Sequence, residues 1–157
     1  MTMTNRTPIL EPITGREPLD HLFNPLQAVA QFYRAFNTRD LDLMSQNWND
    51  GPDAVMDNPV GGIRRGWPEI RGVYERIFAA PARVEVEFWD YTLSETAEVF
   101  WVVGRERGRL ESSETHLDLA IRTSRIFRRI GDRWRQVHHH GSIDEPALLR
   151  DYQRAVG

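Results

Sequence analysis

Apolar residues along this chain change their spacing once, and the change divides it into a helical half and a stranded half. Between Pro25 and Asn37, Leu26, Val29, Ala30, Tyr33 and Phe36 recur at helical intervals, with Asn24 placed to cap and Pro25 in the first turn. Leu41, Met44 and Trp48 predict a short second helix from Asp40 to about Trp48. The segment AVMDNP reads as a short strand ended by Pro59, Gly61 and Gly62 mark a loop, and Pro68 opens a third helix through Phe78 that buries Ile70, Val73, Tyr74 and Ile77. From Arg83 onward the period is two: VEVEFWDY, EVFWVVG, HLDLAIRTSRIFRRI and RWRQVHHHGS read as successive strands of a meander. Helices first and antiparallel strands after predict an α+β domain, helices packed on one face of a curved sheet, over residues 25–143. Residues 1–24 carry Pro8, Pro12 and Pro18 without periodicity and read as an extended or partly disordered arm; residues 144–157 read as a terminal helix or an arm.

The last two strands carry their own ruler. Gly131 and Asp132 form a two-residue turn that starts with glycine at positive φ, which pairs Ile130 with Arg133. Counting outward pairs Phe127 with Gln136, Ile126 with Val137, Arg125 with His138, Ser124 with His139 and Thr123 with His140. Side chains alternate across a sheet, so His139 shares a face with Ser124 and Arg122, while His138 and His140 lie on the other. The three adjacent histidines are therefore not one cluster. Alternating parity and the lack of a suitably spaced acid argue against a metal site, and His138 and His140 are expected to bond Arg125 and Thr123 instead.

Composition narrows the chemistry. The 157 residues, 40% hydrophobic, suffice for one domain with one core. All 20 basic residues are arginine, and the chain has no lysine and no cysteine. Thiolate nucleophiles, thiolate metal sites, disulfides and Schiff bases are thereby excluded, leaving Asp, Glu, His, Tyr, Ser, Thr, Asn and Arg. No cofactor is expected. No apolar run approaches the ~18 residues of a membrane span, and MTMTNRTPIL lacks a signal-peptide pattern, so a cytoplasmic protein without membrane contact is expected. Arginines cluster between Arg122 and Arg135, but the register divides them between two faces and the chain is net −3, so no nucleic-acid partner is expected.

The order of elements, together with Ser124, Arg125, Gly131 or Asp132, Trp134, Val137, His138, His140 and Ser142, resembles the nuclear transport factor 2-like superfamily over residues 25–143. Within it the chain is similar to the association domain of calcium/calmodulin-dependent protein kinase II and to SnoaL-like proteins. The resemblance implies the cystatin-like cone, a bent antiparallel sheet wrapped on N-terminal helices around a pocket. AFNTRDLDLMSQNW and RRGWPEIRGVYERIF also look like helices of ketosteroid isomerases. That family's oxyanion-hole tyrosine falls on Phe32, its aspartate base on Asn58 before Pro59, and its protonated aspartate on Ser124. Of its supporting tyrosines Tyr74 is retained and Trp48 replaces another. An amide has no useful basicity near neutral pH, so steroid isomerisation is disfavoured.

By the hairpin register and the isomerase comparison, the pocket face of the long strand carries His116, Asp118, Ala120, Arg122, Ser124 and Ile126, joined by Val137 and His139. His116 and Asp118, about 7 Å apart along the strand, are the acid/base candidates, an ion pair at a strand end being the other reading. Asn58, Tyr74, Arg122, Ser124, His139 and Arg125 are the expected ligand contacts. The opposite face, with Leu117, Leu119, Ile121, Phe127 and Trp134, would be covered by a second subunit, giving a homodimer. A β-bulge would exchange the two faces. The expected function is a pocket protein for a small organic molecule, a metal-independent lyase or isomerase working by general acid/base catalysis. The alternative is a non-catalytic binding or assembly module.

Overall fold

The computed structural model describes residues 3–4 and 7–157; the rest of the expected N-terminal arm lies outside the described residues. Helix α1 (Pro25–Asn37) starts where the Asn24 side chain accepts a hydrogen bond from the Leu26 N–H, and it buries Val29, Phe32, Tyr33 and Phe36. Such a cap contributes about 1 kcal/mol. Helix α2 (Leu41–Asn47) is capped in the same way by Asp40, and α3 (Trp67–Ala79) has proline in its first turn and buries Ile70, Val73, Tyr74 and Ile77. A terminal helix, α4 (Pro146–Val156), buries only Tyr152 and Val156.

One seven-stranded sheet takes the order β1-β4-β5-β6-β7-β2-β3. Its long strands are β4 (Arg83–Glu95), β5 (Val99–Glu111), β6 (His116–Ile130) and β7 (Arg133–Ser142), each antiparallel to the next. The short strands are β1 (Met3–Thr4), β2 (Val55–Asp57) and β3 (Arg64–Arg65), with β2 running parallel to β7. Residues after the first strand lie along the outer edge of β4, where the Ile9 and Ile13 N–H groups donate to the carbonyls of Tyr91 and Phe88, both at 2.8 Å. At the end of α1, Asn37 acts as a piece of strand. Its amide donates to the Val86 carbonyl at 2.8 Å and accepts from the Val86 N–H at 2.9 Å, tying the helix to the sheet.

Two irregularities bend the sheet. In β4 the register shifts between Trp89 and Thr92, where Asp90 takes φ 49°, and the facing Gly104 leaves room that a Cβ would lose to Tyr91 at 2.5 Å. In the hairpin, Gly131 sits at φ 66° and Ile130 pairs with Arg133 as the turn dictates, and the pairing holds through Phe127–Gln136. A bulge at Val137 then offsets the rest, so that Ile126 faces His138, Arg125 faces His139 and Ser124 faces His140.

This corrects the expected register by one residue beyond Val137 and also corrects which face turns inward. Leu119, Ile121, Thr123, Arg125 and Phe127 are buried against the helices, while His116, Asp118, Ala120 and Arg122 are exposed. The cause is hydrophobic: the apolar stripes of α1 and α3 need an apolar floor, and the odd-numbered face of β6 is the apolar one. Leu119, Ile121, Phe127 and Trp134 are therefore covered by the chain's own helices and need no second subunit. Among the described residues no helix is long and apolar enough to cross a membrane.

Candidate functional site

Inside the cone, the helices and sheet leave a small cavity of about 30 Å³ lined by Phe32, Phe36, Asn58, Tyr74, Glu106, Arg125, His139 and Tyr152, among others. Its floor is a buried polar cluster. Arg125, central on β6 and 1% exposed, donates from Nη2 to Glu106 Oε1 at 2.9 Å and from Nη1 to Gln136 Oε1 at 2.8 Å. Tyr33 donates its hydroxyl to the same Glu106 oxygen at 2.7 Å, and the hydroxyl oxygen lies 3.4 Å from Arg125 Nε. Gln136 in turn donates to Asn47 Oδ1 at 3.0 Å, and Asn47 donates to the Ala28 carbonyl and to Gln31 Oε1. The guanidinium lies 3.5 Å from the centroid of the Phe32 ring. Five elements (α1, α2, β5, β6 and β7) thus converge on one buried cation.

Burial and charge set the protonation states. Burial opposes the charge on Arg125, but its neighbours Tyr33 and Glu106 outweigh that penalty and its pKa is raised. His139, on β7 directly across from Arg125, is buried, and its pKa falls well below the usual imidazole value, first by burial and then by the Arg125 charge. It is neutral at neutral pH. Its Nδ1 lies 3.3 Å from the Ser124 carbonyl, which fixes the proton on Nδ1 and leaves Nε2 with a free lone pair. Burial pushes the Tyr74 hydroxyl up to about 12, with the Arg125 charge pulling the other way. The Trp48 indole N–H and the Thr123 hydroxyl are buried without a hydrogen-bond partner. A bare imidazole nitrogen, a phenol and an arginine with two N–H groups to spare can together accept a proton and stabilise a developing oxyanion.

The residues singled out from the sequence separate into two groups. Asn58, Tyr74, Arg125 and His139 are brought together around the cavity. His116 and Asp118 point away from the cone, with side chains 60% and 88% exposed, and form a surface pair at 3.5 Å that Glu111 joins at 3.3 Å from His116. Arg122 and Ser124 are likewise on the outer face, Arg122 paired with Asp144 at 2.7 Å. His138 and His140 do not bond Arg125 and Thr123: His138 Nδ1 meets the Val55 carbonyl at 2.9 Å and His140 Nδ1 meets Asp57 Oδ2 at 2.8 Å, because β2 lies beside β7. Glu106, Gln136, Asn47 and Tyr152 are not among the site residues that the sequence points to. Glu106 had a readable signal: it alternates with Arg105 and Arg107, so if the arginines face water the acid faces the core. Among the described residues no group of three or more His, Asp or Glu side chains could hold a metal ion.

Solved structures with this architecture are numerous and distant. A candidate dehydratase of the NTF2-like family from Streptomyces avermitilis superposes with a TM-score of 0.67 at 22% identity, covering 73% of this chain and 89% of that one. A candidate calcium/calmodulin-dependent protein kinase type II association domain from Thiobacillus denitrificans does so at 0.64 and 24%, covering 82% and 100%. A ketosteroid isomerase-like protein from Erwinia carotovora atroseptica does so at 0.66 and 19%, covering 81% and 98%. At these identities the likeness shows the fold alone. No curated protein is significantly similar to the chain in sequence. The SnoaL-like domain matches residues 26–145, from the first turn of α1 to the residue before α4, and the chain belongs to that family.

Proposed function

We propose that the chain binds a small organic molecule in the cone and acts on it as a metal-independent lyase or isomerase. The observation that carries this reading is the neutral His139, its Nε2 free, beside the buried Arg125–Glu106 pair in one cavity. A carbonyl substrate would place its oxygen toward the spare Arg125 N–H groups and the Tyr74 hydroxyl, with Asn58 orienting the far end. His139 Nε2 would take a proton from the carbon next to the carbonyl. The enolate oxygen charge then offsets the imidazolium that Arg125 alone disfavours. Return of the proton to another carbon completes an isomerisation, and loss of a leaving group on the adjacent carbon completes an elimination. The likeness to a candidate dehydratase and an isomerase-like protein favours these two classes. His116 and Asp118, on the outer face, are assigned no catalytic part in this scheme.

The test is deuterium incorporation. Small ketones and β-hydroxy carbonyl compounds are incubated with the protein in D2O, and exchange at the α-carbon is followed by NMR. The reading expects exchange above buffer that His139→Asn lowers by about 100-fold or more and Asp118→Asn leaves unchanged. Exchange retained in the His139 variant contradicts it.

A second reading, a non-catalytic binding or assembly module, is favoured by one observation: the cavity is far smaller than the ~300 Å³ of an ordinary ligand site. Light scattering separates the two. A homodimer fits the first reading, and the exposed Trp101 and Val103 on β5 are the apolar side chains such a dimer would cover. A larger ring fits the second.

A further inference from the structure

Little of the cone is empty, because the chain's own side chains fill it. The cavity of about 30 Å³ has room for about one water, and the side chain that completes its lining from outside the SnoaL-like domain is Tyr152. Tyr152 is carried by α4, which begins at Pro146, one residue past the matched domain. Its ring is 4% exposed and lines the cavity together with Glu106, Tyr74 and Arg125. Glu106 keeps one carboxylate oxygen without a side-chain donor. Both Tyr33 and Arg125 bond its Oε1, and no side chain among the described residues bonds Oε2.

The helix that delivers this phenol has few polar ties to the rest of the chain. Its N-cap, Glu145, makes no side-chain capping bond, and only Tyr152 and Val156 of its residues are buried. Its polar ties are the Gln153 amide to the Pro59 carbonyl at 3.0 Å and, just before the helix, the solvent-exposed Arg122–Asp144 pair. Its seat is apolar: Tyr152 and Val156 are buried, Leu148, Leu149 and Ala155 pack against the core, and of these side chains Tyr152 is the one that lines the cavity.

From this geometry we infer that the ligand is a phenol or an enol whose ring or planar edge takes the place of the Tyr152 side chain, so that binding unseats α4. The inference rests on the cone being the binding site. The chemistry of the floor selects this class. Arg125 and Glu106 neutralise each other, so a carboxylate ligand gains no net counter-charge and meets Glu106, whereas a hydroxyl can donate to Glu106 Oε2 and accept from Tyr74 or Arg125. The proposed proton transfer produces the enolate of such a compound. Tyr152 is then a built-in stand-in for the ligand, and the chain's own tail competes with it.

The test uses p-cresol, the side chain of tyrosine as a free molecule, with toluene as the ring without the hydroxyl and benzoate as the anion. Binding is measured by calorimetry on the full chain and on Tyr152→Ala, and amide hydrogen exchange of residues 146–156 is followed in the wild type with and without p-cresol. The expected result is at least tenfold tighter p-cresol binding by Tyr152→Ala than by the wild type, and at least tenfold preference over toluene and benzoate. In the wild type, saturating p-cresol should accelerate exchange in α4 and leave α1 unchanged, a readout that stands even if the variant folds poorly. Toluene or benzoate binding the variant as well as p-cresol overturns the inference while leaving the cone as a binding site. No binding of any of the three to a folded Tyr152→Ala removes the cone reading itself. Wild-type p-cresol binding with α4 exchange unaltered also overturns the inference.

Discussion

Replacing Glu106 by Gln removes one charge from the floor of the cone and leaves Arg125, 1% exposed, without its counterion. The amide oxygen can still accept from Tyr33 and from Arg125, so the change tests the charge more than the hydrogen bonds. Leaving half of a buried ion pair behind costs about 3–5 kcal/mol, and retained bonding puts the expectation at the lower end, about 3 kcal/mol. For a chain of this size that corresponds to a fall in Tm of roughly 6–12 °C. Urea denaturation followed by tryptophan fluorescence should show a lower midpoint with an unchanged slope. The second arm is the pair Glu106→Gln with Arg125→Met, which removes both charges and fills the same space. It should recover at least about half of the lost stability, because an apolar replacement of a buried pair is often neutral or better. A loss below about 1 kcal/mol for the single change, comparable to a surface pair, or strict additivity of the two changes, would refute the claim that Arg125 is held in place by Glu106.

Three further outcomes follow from the same structure. His139 has a depressed folded-state pKa, so below the unfolded value of about 6.5 the unfolded chain binds more protons, and stability falls by up to about 1.4 kcal/mol per pH unit as pH drops; His139→Gln should lose that component, seen as a difference between the two stability–pH curves that opens below about pH 6.5 and vanishes above. Gly108→Ala places a Cβ 2.0 Å from the Glu85 carbonyl oxygen on the neighbouring strand, which must move, and should cost about 2 kcal/mol or more by chemical denaturation; a neutral result would mean that β4 and β5 can part there freely. Asn37→Ala orphans both polar groups of Val86 and should cost about 1–3 kcal/mol, with faster amide exchange at Val86 itself.

The helices and strands were legible because their apolar periods are clean. The first helix runs from Pro25 to Asn37 and β6 from His116 to Ile130, as the spacing of their residues predicts. The hairpin register was legible only as far as Gln136, since turn chemistry fixes pairing near the turn and carries no information about an extra residue further out. Val137 is an ordinary strand residue, and nothing in its identity announces a bulge. The inward face of β6 was readable in principle: Leu117, Leu119, Ile121 and Phe127 form the more apolar set, and a set of that kind goes to the core when helices wait to cover it. His116, Asp118 and Ser124, polar by comparison, lie on the other face. The site itself was half legible. Tyr74 and Asn58 come from helix and loop positions that no strand register can shift, and His139 was assigned to the pocket face although its neighbour there is Arg125, not Ser124. Glu106 is marked only by its alternation with Arg105 and Arg107, whereas Gln136 acts through contacts with residues far away in sequence and Tyr152 reaches the cone from a helix outside the family domain, so no local pattern points to those two.

The protonation state of His139 tests the account at its centre, because the site works only if that imidazole is neutral, carries its proton on Nδ1 and presents Nε2 to the cavity. Nitrogen-15 NMR of histidine-labelled protein reads both the tautomer and the titration at this one residue, with His139→Gln supplying the assignment. The account predicts a single neutral tautomer with hydrogen on Nδ1, unchanged from pH 8 down through pH 6. A His139 signal that titrates near the ordinary imidazole value of about 6.5, or one with its hydrogen on Nε2, would contradict it.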